Sequence, residues 1–151
     1  MEHAAPSGLK FTGGCLCGHI RYESMAAPVR GVICHCSMCR KHSGAPALAF
    51  VHFPVAAFRW LGDEPTRYRS SAEAERGFCP VCGSTISMHE EVIADRMQIA
   101  AGSLDDPDRV KIDDHVWTRE QLSWFQIDDR LPRFAASSSA VATKAPQPDD
   151  H

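Results

Sequence analysis

Apolar positions along the chain fall in short runs broken by turn residues, with no sustained helical period. Residues 19–24 alternate, with Ile20 and Tyr22 on one side, and predict a strand. Residues 29–33 form a short, mostly apolar run, and 47–53 hold Leu48, Phe50, Val51 and Phe53. Segments 66–70, 85–88 and 97–101 have the same character. Between them stand Gly13-Gly14, Gly62-Asp63, Gly83-Ser84 and Asp106-Pro107, which are turn signals. Short strands separated by such turns predict a mainly β domain. Single helical turns are expected at 37–42, 55–58 and 119–123.

The pattern also sets the domain plan. Residues 1–10 read as a flexible lead-in, and 11–134 as one domain without an internal linker or a repeat at a fixed period. The stretch 135–151 is rich in small residues and Pro and reads as a disordered tail. Before it, Trp124, Phe125, Leu131 and Phe134 are expected to pack the end of the chain onto the sheets.

Composition sharpens this picture in one direction. The 151 residues suit one domain, and 44% hydrophobic with 23% charged residues is an ordinary globular balance. The formal net charge of −3 argues against nucleic acid and anionic membrane as partners. No apolar run is long enough to span a bilayer, and the first residues lack the pattern of a secretory leader. A cytoplasmic location is therefore expected, where thiols stay reduced.

That matters because the chain has seven cysteines, all in three tight groups: Cys15-x-Cys17, Cys34-x-Cys36-x-x-Cys39 and Cys79-x-x-Cys82. Two residues between ligands let a chain turn around one ion, with both thiolates about 2.3 Å from zinc. A single residue between ligands in an extended segment puts both sulfurs on one face. Gly18 and Gly83 follow two of the groups and suit the left-handed backbone of such turns. A closed structural site takes four protein ligands, and an open catalytic site takes three. Seven thiols thus suggest one closed and one open site. Spacing also permits Cys36 and Cys39 to pair with Cys15 and Cys17. A thioredoxin-like role for Cys79 and Cys82 lacks the surrounding βαβ pattern it needs.

At these residues the chain resembles the glutathione-dependent formaldehyde-activating enzyme family, the CENP-V/GFA domain, whose fold is called Mss-four-like or β-tent. The matching segments are G-G-C-L-C-G-x-I-R-Y-E at 13–23, C-H-C-S-M-C-R-K-x-S-G at 34–44 and F-C-P-V-C-G-S at 78–84. Later segments, H-V-W at 115–117 and D-D-x-L-P-R-F at 128–134, also fit. The resemblance implies small, coiled antiparallel sheets built around zinc, with two zinc ions per chain. It implies that Cys15, Cys17, Cys79 and Cys82 hold a structural zinc, and Cys34, Cys36 and Cys39 a catalytic one. It further implies a carbon–sulfur lyase that makes or cleaves the S-hydroxymethyl adduct of a small thiol such as glutathione with formaldehyde. The alternative is a non-catalytic, zinc-stabilised binding module on the same fold.

Other residues are assigned by position. Three cysteines and a substrate thiolate would leave a net negative centre, and Arg40 and Lys41 are placed to compensate it. His42 either orients a substrate or completes a closed site. His35, between two ligands, is expected to point away from the ion. His115 and Trp117 are expected to form a packing corner with a hydrogen-bonded imidazole, with a supporting role near the site as the other possibility.

Overall fold

The computed structural model describes residues 9–137. Within them, strands β1 (Phe11–Gly14), β2 (Arg21–Ser24) and β5 (Phe58–Trp60) form an antiparallel sheet in the order β1-β2-β5. The second sheet has seven strands: β3 (Arg30–Cys34), β4 (Leu48–Pro54), β6 (Thr66–Ser71), β7 (Ala74–Phe78), β8 (Thr85–Glu90), β9 (Arg96–Ala100) and β10 (Asp114–Val116). Its order is β10-β3-β4-β9-β8-β7-β6. All its pairs are antiparallel except β10 on β3. One α-helix, α1 (Ser37–Ser43), joins β3 to β4, and the other helical pieces are single 3-10 turns. The mainly β expectation holds.

Strand β4 explains the placement of the core. Its neighbours are β3 and β9, and both its faces are covered, so its sequence reads as a near-continuous apolar run. Val51 and Phe53 enter a core that also takes Phe11, Ile20 and Tyr22 from the smaller sheet's side. Phe50 faces the other way, into a cluster with Val32, Met88, Val116 and Cys34, Cys36 and Cys39. The large sheet therefore has a conventional core on one face and a cysteine-rich one on the other.

Helix α1 realises the turn expected at 37–42. The Cys36 sulfur caps it by accepting from the Cys39 N–H. It stops at Gly44, whose φ of 72° is open to glycine and whose N–H reaches the Arg40 carbonyl at 2.7 Å. The turn expected at 55–58 is a single turn, Val55–Ala57, after which Phe58 opens β5. The turn expected at 119–123 lies at Thr118–Glu120.

The sequence pattern did not announce β1, β5 or β7, and it leaves the β10 segment around His115 open between strand and loop. β7 reads Ala-Glu-Arg-Gly-Phe, a poor strand former, and is held by pairing with β6 on one side and β8 on the other. β10 is short and polar at its start, and its register against β3 comes from a distant part of the chain. Phe134 packs on the cysteine-bearing cluster as expected, but Trp124 is 71% exposed and does not. Residues 132–136 run beside β10: the His115 N–H bonds the Pro132 carbonyl, the Phe134 N–H the His115 carbonyl, and the Trp117 N–H the Ala136 carbonyl. Residues 1–8 and 138–151, most of the expected lead-in and tail, lie outside the described residues.

Candidate functional site

Seven free cysteines gather into two groups. The first joins Cys15 and Cys17, from the turn after β1, to Cys79 and Cys82, from the turn between β7 and β8. All four sulfurs lie within 4.8 Å of one another. The Cys15–Cys17 and Cys17–Cys79 sulfur separations are 3.6 and 3.9 Å. A tetrahedron with zinc–sulfur bonds of about 2.3 Å has edges of about 3.8 Å. The donor set therefore fits zinc, and the separations are far too long for disulfides.

The surrounding backbone is built for thiolates. The Ile20 N–H donates to the Cys15 sulfur at 3.2 Å, and the Val81 and Cys82 N–H groups face the Cys79 sulfur at 3.4 and 3.5 Å. Ser84 lies 3.1 Å from the Cys82 sulfur and brings that thiol down to about 5. Gly18 and Gly83 take φ values of 83° and 79°, the left-handed turns anticipated for them. Each half of the group comes from a different sheet, so the cluster sits where the two sheets meet.

The second group is Cys34, Cys36 and Cys39, again with all sulfurs within 4.8 Å. Cys34 ends β3, Cys36 caps α1, and Cys39 lies one turn into the helix. All three are buried, against Met38, Leu48, Trp117 and Phe134. Hydrogen bonds from Cys34 and Cys39 hold the Cys36 thiol down at about 2, with the Cys39 N–H and Arg76 assisting. The same sharing, together with burial, pushes Cys34 well above the usual thiol range. Soft sulfur ligands in this number fit zinc with one coordination position left.

A cation that touches this cluster is Arg76, on β7. It is 4% exposed, and its Nη1 donates to the Cys39 sulfur at 3.4 Å, while its Nε is 3.2 Å from the Ser70 hydroxyl. Arg40 and Lys41, expected in this part, sit on α1, and Arg40 Nε is buried without a hydrogen-bond partner. His42 brings no ring nitrogen within 4.8 Å of all three sulfurs, so it does not join the triad as a fourth ligand. Burial, then Arg76, pushes its imidazole down to about 4.

His35 and His115 form a second polar centre behind the triad. The His35 ring is fully buried, and its Nε2 is 2.9 Å from His115 Nδ1. His115 Nε2 is in turn 2.9 Å from Asp129 Oδ2. The packing corner expected at His115 is present with its imidazole hydrogen-bonded, while His35 proves to be interior. Sequence reasoning missed Arg76 and Asp129 as partners of these centres. Asp129 lay inside a motif already noted, and Arg76 stands three residues before Cys79, yet neither position predicts a contact across the sheet.

Among the described residues, no helix is long and apolar enough to cross a membrane. A protein of Schizosaccharomyces pombe described as an uncharacterized lyase is 32% identical over 77 residues, which are 51% of this chain and 56% of that protein. The chain thus spans little more than half the length of this curated relative. Among solved structures, a Rhodobacter sphaeroides protein shares the fold at a TM-score of 0.51 and 18% identity, covering 81% of this chain and 98% of that one. The family model described as glutathione-dependent formaldehyde-activating enzyme matches residues 10–120. With that match spanning both cysteine groups, the chain belongs to the glutathione-dependent formaldehyde-activating enzyme (GFA) family.

Proposed function

We propose that the protein is a zinc-dependent carbon–sulfur lyase that makes or cleaves an S-hydroxymethyl adduct of a small thiol such as glutathione. Cys15, Cys17, Cys79 and Cys82 hold a closed structural zinc, and Cys34, Cys36 and Cys39 an open catalytic one, two ions per chain. The observation that carries this reading is the contrast between the groups: four sulfurs in one, three in the other beside a buried arginine. When bound at the triad, zinc favours the thiolate form of an incoming thiol and polarises an aldehyde oxygen.

The chain's own residues do the rest. Arg76 places a fixed positive charge at the sulfurs and offsets the charge of an added thiolate. Trp117, Leu48, Met38 and Phe134 exclude water from that face, which strengthens the arginine's field. In the forward direction the thiolate sulfur attacks the aldehyde carbon. A carbon–sulfur bond forms, the carbonyl π pair moves to oxygen, and that oxygen takes a proton. Cleavage is the reverse, with the hydroxyl proton lost and the carbon–sulfur pair returning to sulfur.

Exchange NMR with 13C-formaldehyde and glutathione tests the proposal. Zinc-loaded protein should speed exchange between formaldehyde hydrate and adduct, and a folded Cys36→Ser variant should not. No acceleration, or equal acceleration by Cys36→Ser, would favour a binding module instead.

A further inference from the structure

The buried pair His35 and His115 takes no direct part in the proposed step, yet it sits between the triad and the C-terminal segment. Three contacts define it. Asp129 Oδ2 meets His115 Nε2 at 2.9 Å, His115 Nδ1 meets His35 Nε2 at 2.9 Å, and the His35 N–H donates to the Val116 carbonyl at 3.0 Å. The rings are 0% and 1% exposed, and stack at 5.1 Å between centroids. Asp129 is itself held in place: Arg133 Nη1 and the Leu131 N–H donate to its other oxygen at 3.0 and 3.1 Å.

The chemistry of the three groups gives the chain of hydrogen bonds a direction. An ionised carboxylate only accepts, so His115 Nε2 carries the hydrogen. In a neutral imidazole Nδ1 is then a bare acceptor, and His35 Nε2 must be the donor. With both rings neutral, His35 is the Nε2–H tautomer and its Nδ1 is a lone pair, the one His35 nitrogen that is buried without a partner. His35 is also the residue between Cys34 and Cys36. Its backbone is tied to β10 and its ring to His115, so the segment bearing two of the three triad sulfurs is fixed at main chain and side chain together.

We propose that Asp129, His115 and His35 form a positioning relay, which starts at a partly exposed carboxylate and sets the orientation of the Cys34-His35-Cys36 segment for metal binding. None of the three is a catalytic residue here; they act through the triad. The relay stands on its own contacts and does not require the lyase reading. A ligand's outer partners commonly alter metal affinity by 10–100-fold when removed.

The test is a long-range 1H–15N spectrum of histidine-labelled, zinc-loaded protein at pH 8, with the rate of zinc transfer to a chelator measured alongside. Wild type should show His35 and His115 both as Nε2–H tautomers. In Asp129→Asn the Leu131 N–H and Arg133 Nη1 donors should keep the amide oxygen on their side, which turns the amide NH2 toward His115 Nε2, so both rings should switch to the Nδ1–H form. Zinc should leave the triad roughly 10-fold faster, with the four-cysteine site unchanged. Asp129→Glu should restore the wild-type tautomers. A His35 Nδ1–H signal in wild type overturns the relay, even should Asp129→Asn fail to fold. Unchanged tautomers and zinc release in a folded Asp129→Asn overturn it equally. Neither readout uses turnover, so failure of the lyase reading would be seen separately.

Discussion

Arg76 is the residue on which the proposed chemistry leans most. A guanidinium that is almost fully buried and donates to a sulfur is stabilised by negative charge there, as its raised basicity reflects: burial works against it, and Cys39, Cys36 and Cys34 more than offset that. Arg76→Met removes the charge and the donor while keeping most of the volume. Charge-assisted hydrogen bonds are worth about 1.5–3 kcal/mol, so the KM for the thiol should rise roughly 10–100-fold, and Arg76→Lys should recover part of it. An unchanged KM in Arg76→Met would remove the arginine from the account. A second buried residue contributes to acid stability. His52 is 3% exposed, neither ring nitrogen has a hydrogen-bond partner, and burial, then Arg30 and Arg96, brings it down to about 3 from 6.5. The unfolded chain binds that proton near pH 6.5 and the native state refuses it. Stability is therefore full above pH 6.5 and falls as the pH drops toward 3, by up to about 1.4 kcal/mol per pH unit. His52→Leu should flatten that part of the urea-unfolding profile; an identical slope would mean the native state accommodates the charge.

Among the elements, the β3–β10 pair matters most, because it carries Cys34 on one strand and His115 on the other. Gly31 lets the chain leading into β10 lie against β3: a Cβ there would sit 2.1 Å from the Lys111 carbonyl oxygen. Backbone cannot swing aside as a side-chain tip can. Gly31→Ala should cost roughly 1–3 kcal/mol in urea unfolding and loosen His35 through its bond to Val116. Wild-type stability would show that this segment is free to shift. The same strand pair shows what was legible in advance. Cysteines two and three residues apart must share a turn, so local geometry gathered the Cys34, Cys36 and Cys39 triad and each half of the other group, and the apolar runs at β4 and β9 marked core strands. That Cys15 and Cys17 meet Cys79 and Cys82 was implied by the family resemblance, because spacing left the partners open. β7 and β10 depend on pairing with distant strands. The Arg76–Cys39 and His35–His115 contacts join residues 37 and 80 positions apart, and no local pattern encodes them. Arg40 and Lys41 were the natural choice for the compensating cation because they are adjacent in sequence. The fold also brings Arg76 in from β7.

Taken whole, the molecule has two cysteine groups with different mechanical duties. In the proposed reading a metal held by the four-cysteine group fastens the smaller sheet to the larger one, so its loss should weaken the whole fold. The triad lies on the opposite face of the large sheet from the main core, and should empty with little loss of structure. The most direct measurement of this division is zinc per chain by plasma mass spectrometry, before and after dialysis against a mild chelator. It should be made on wild type and on Cys36→Ser. Wild type should fall from two zincs to one with the fold retained, and Cys36→Ser should hold one zinc throughout. A single zinc in wild type that added zinc does not increase, or two that leave together, would contradict this division.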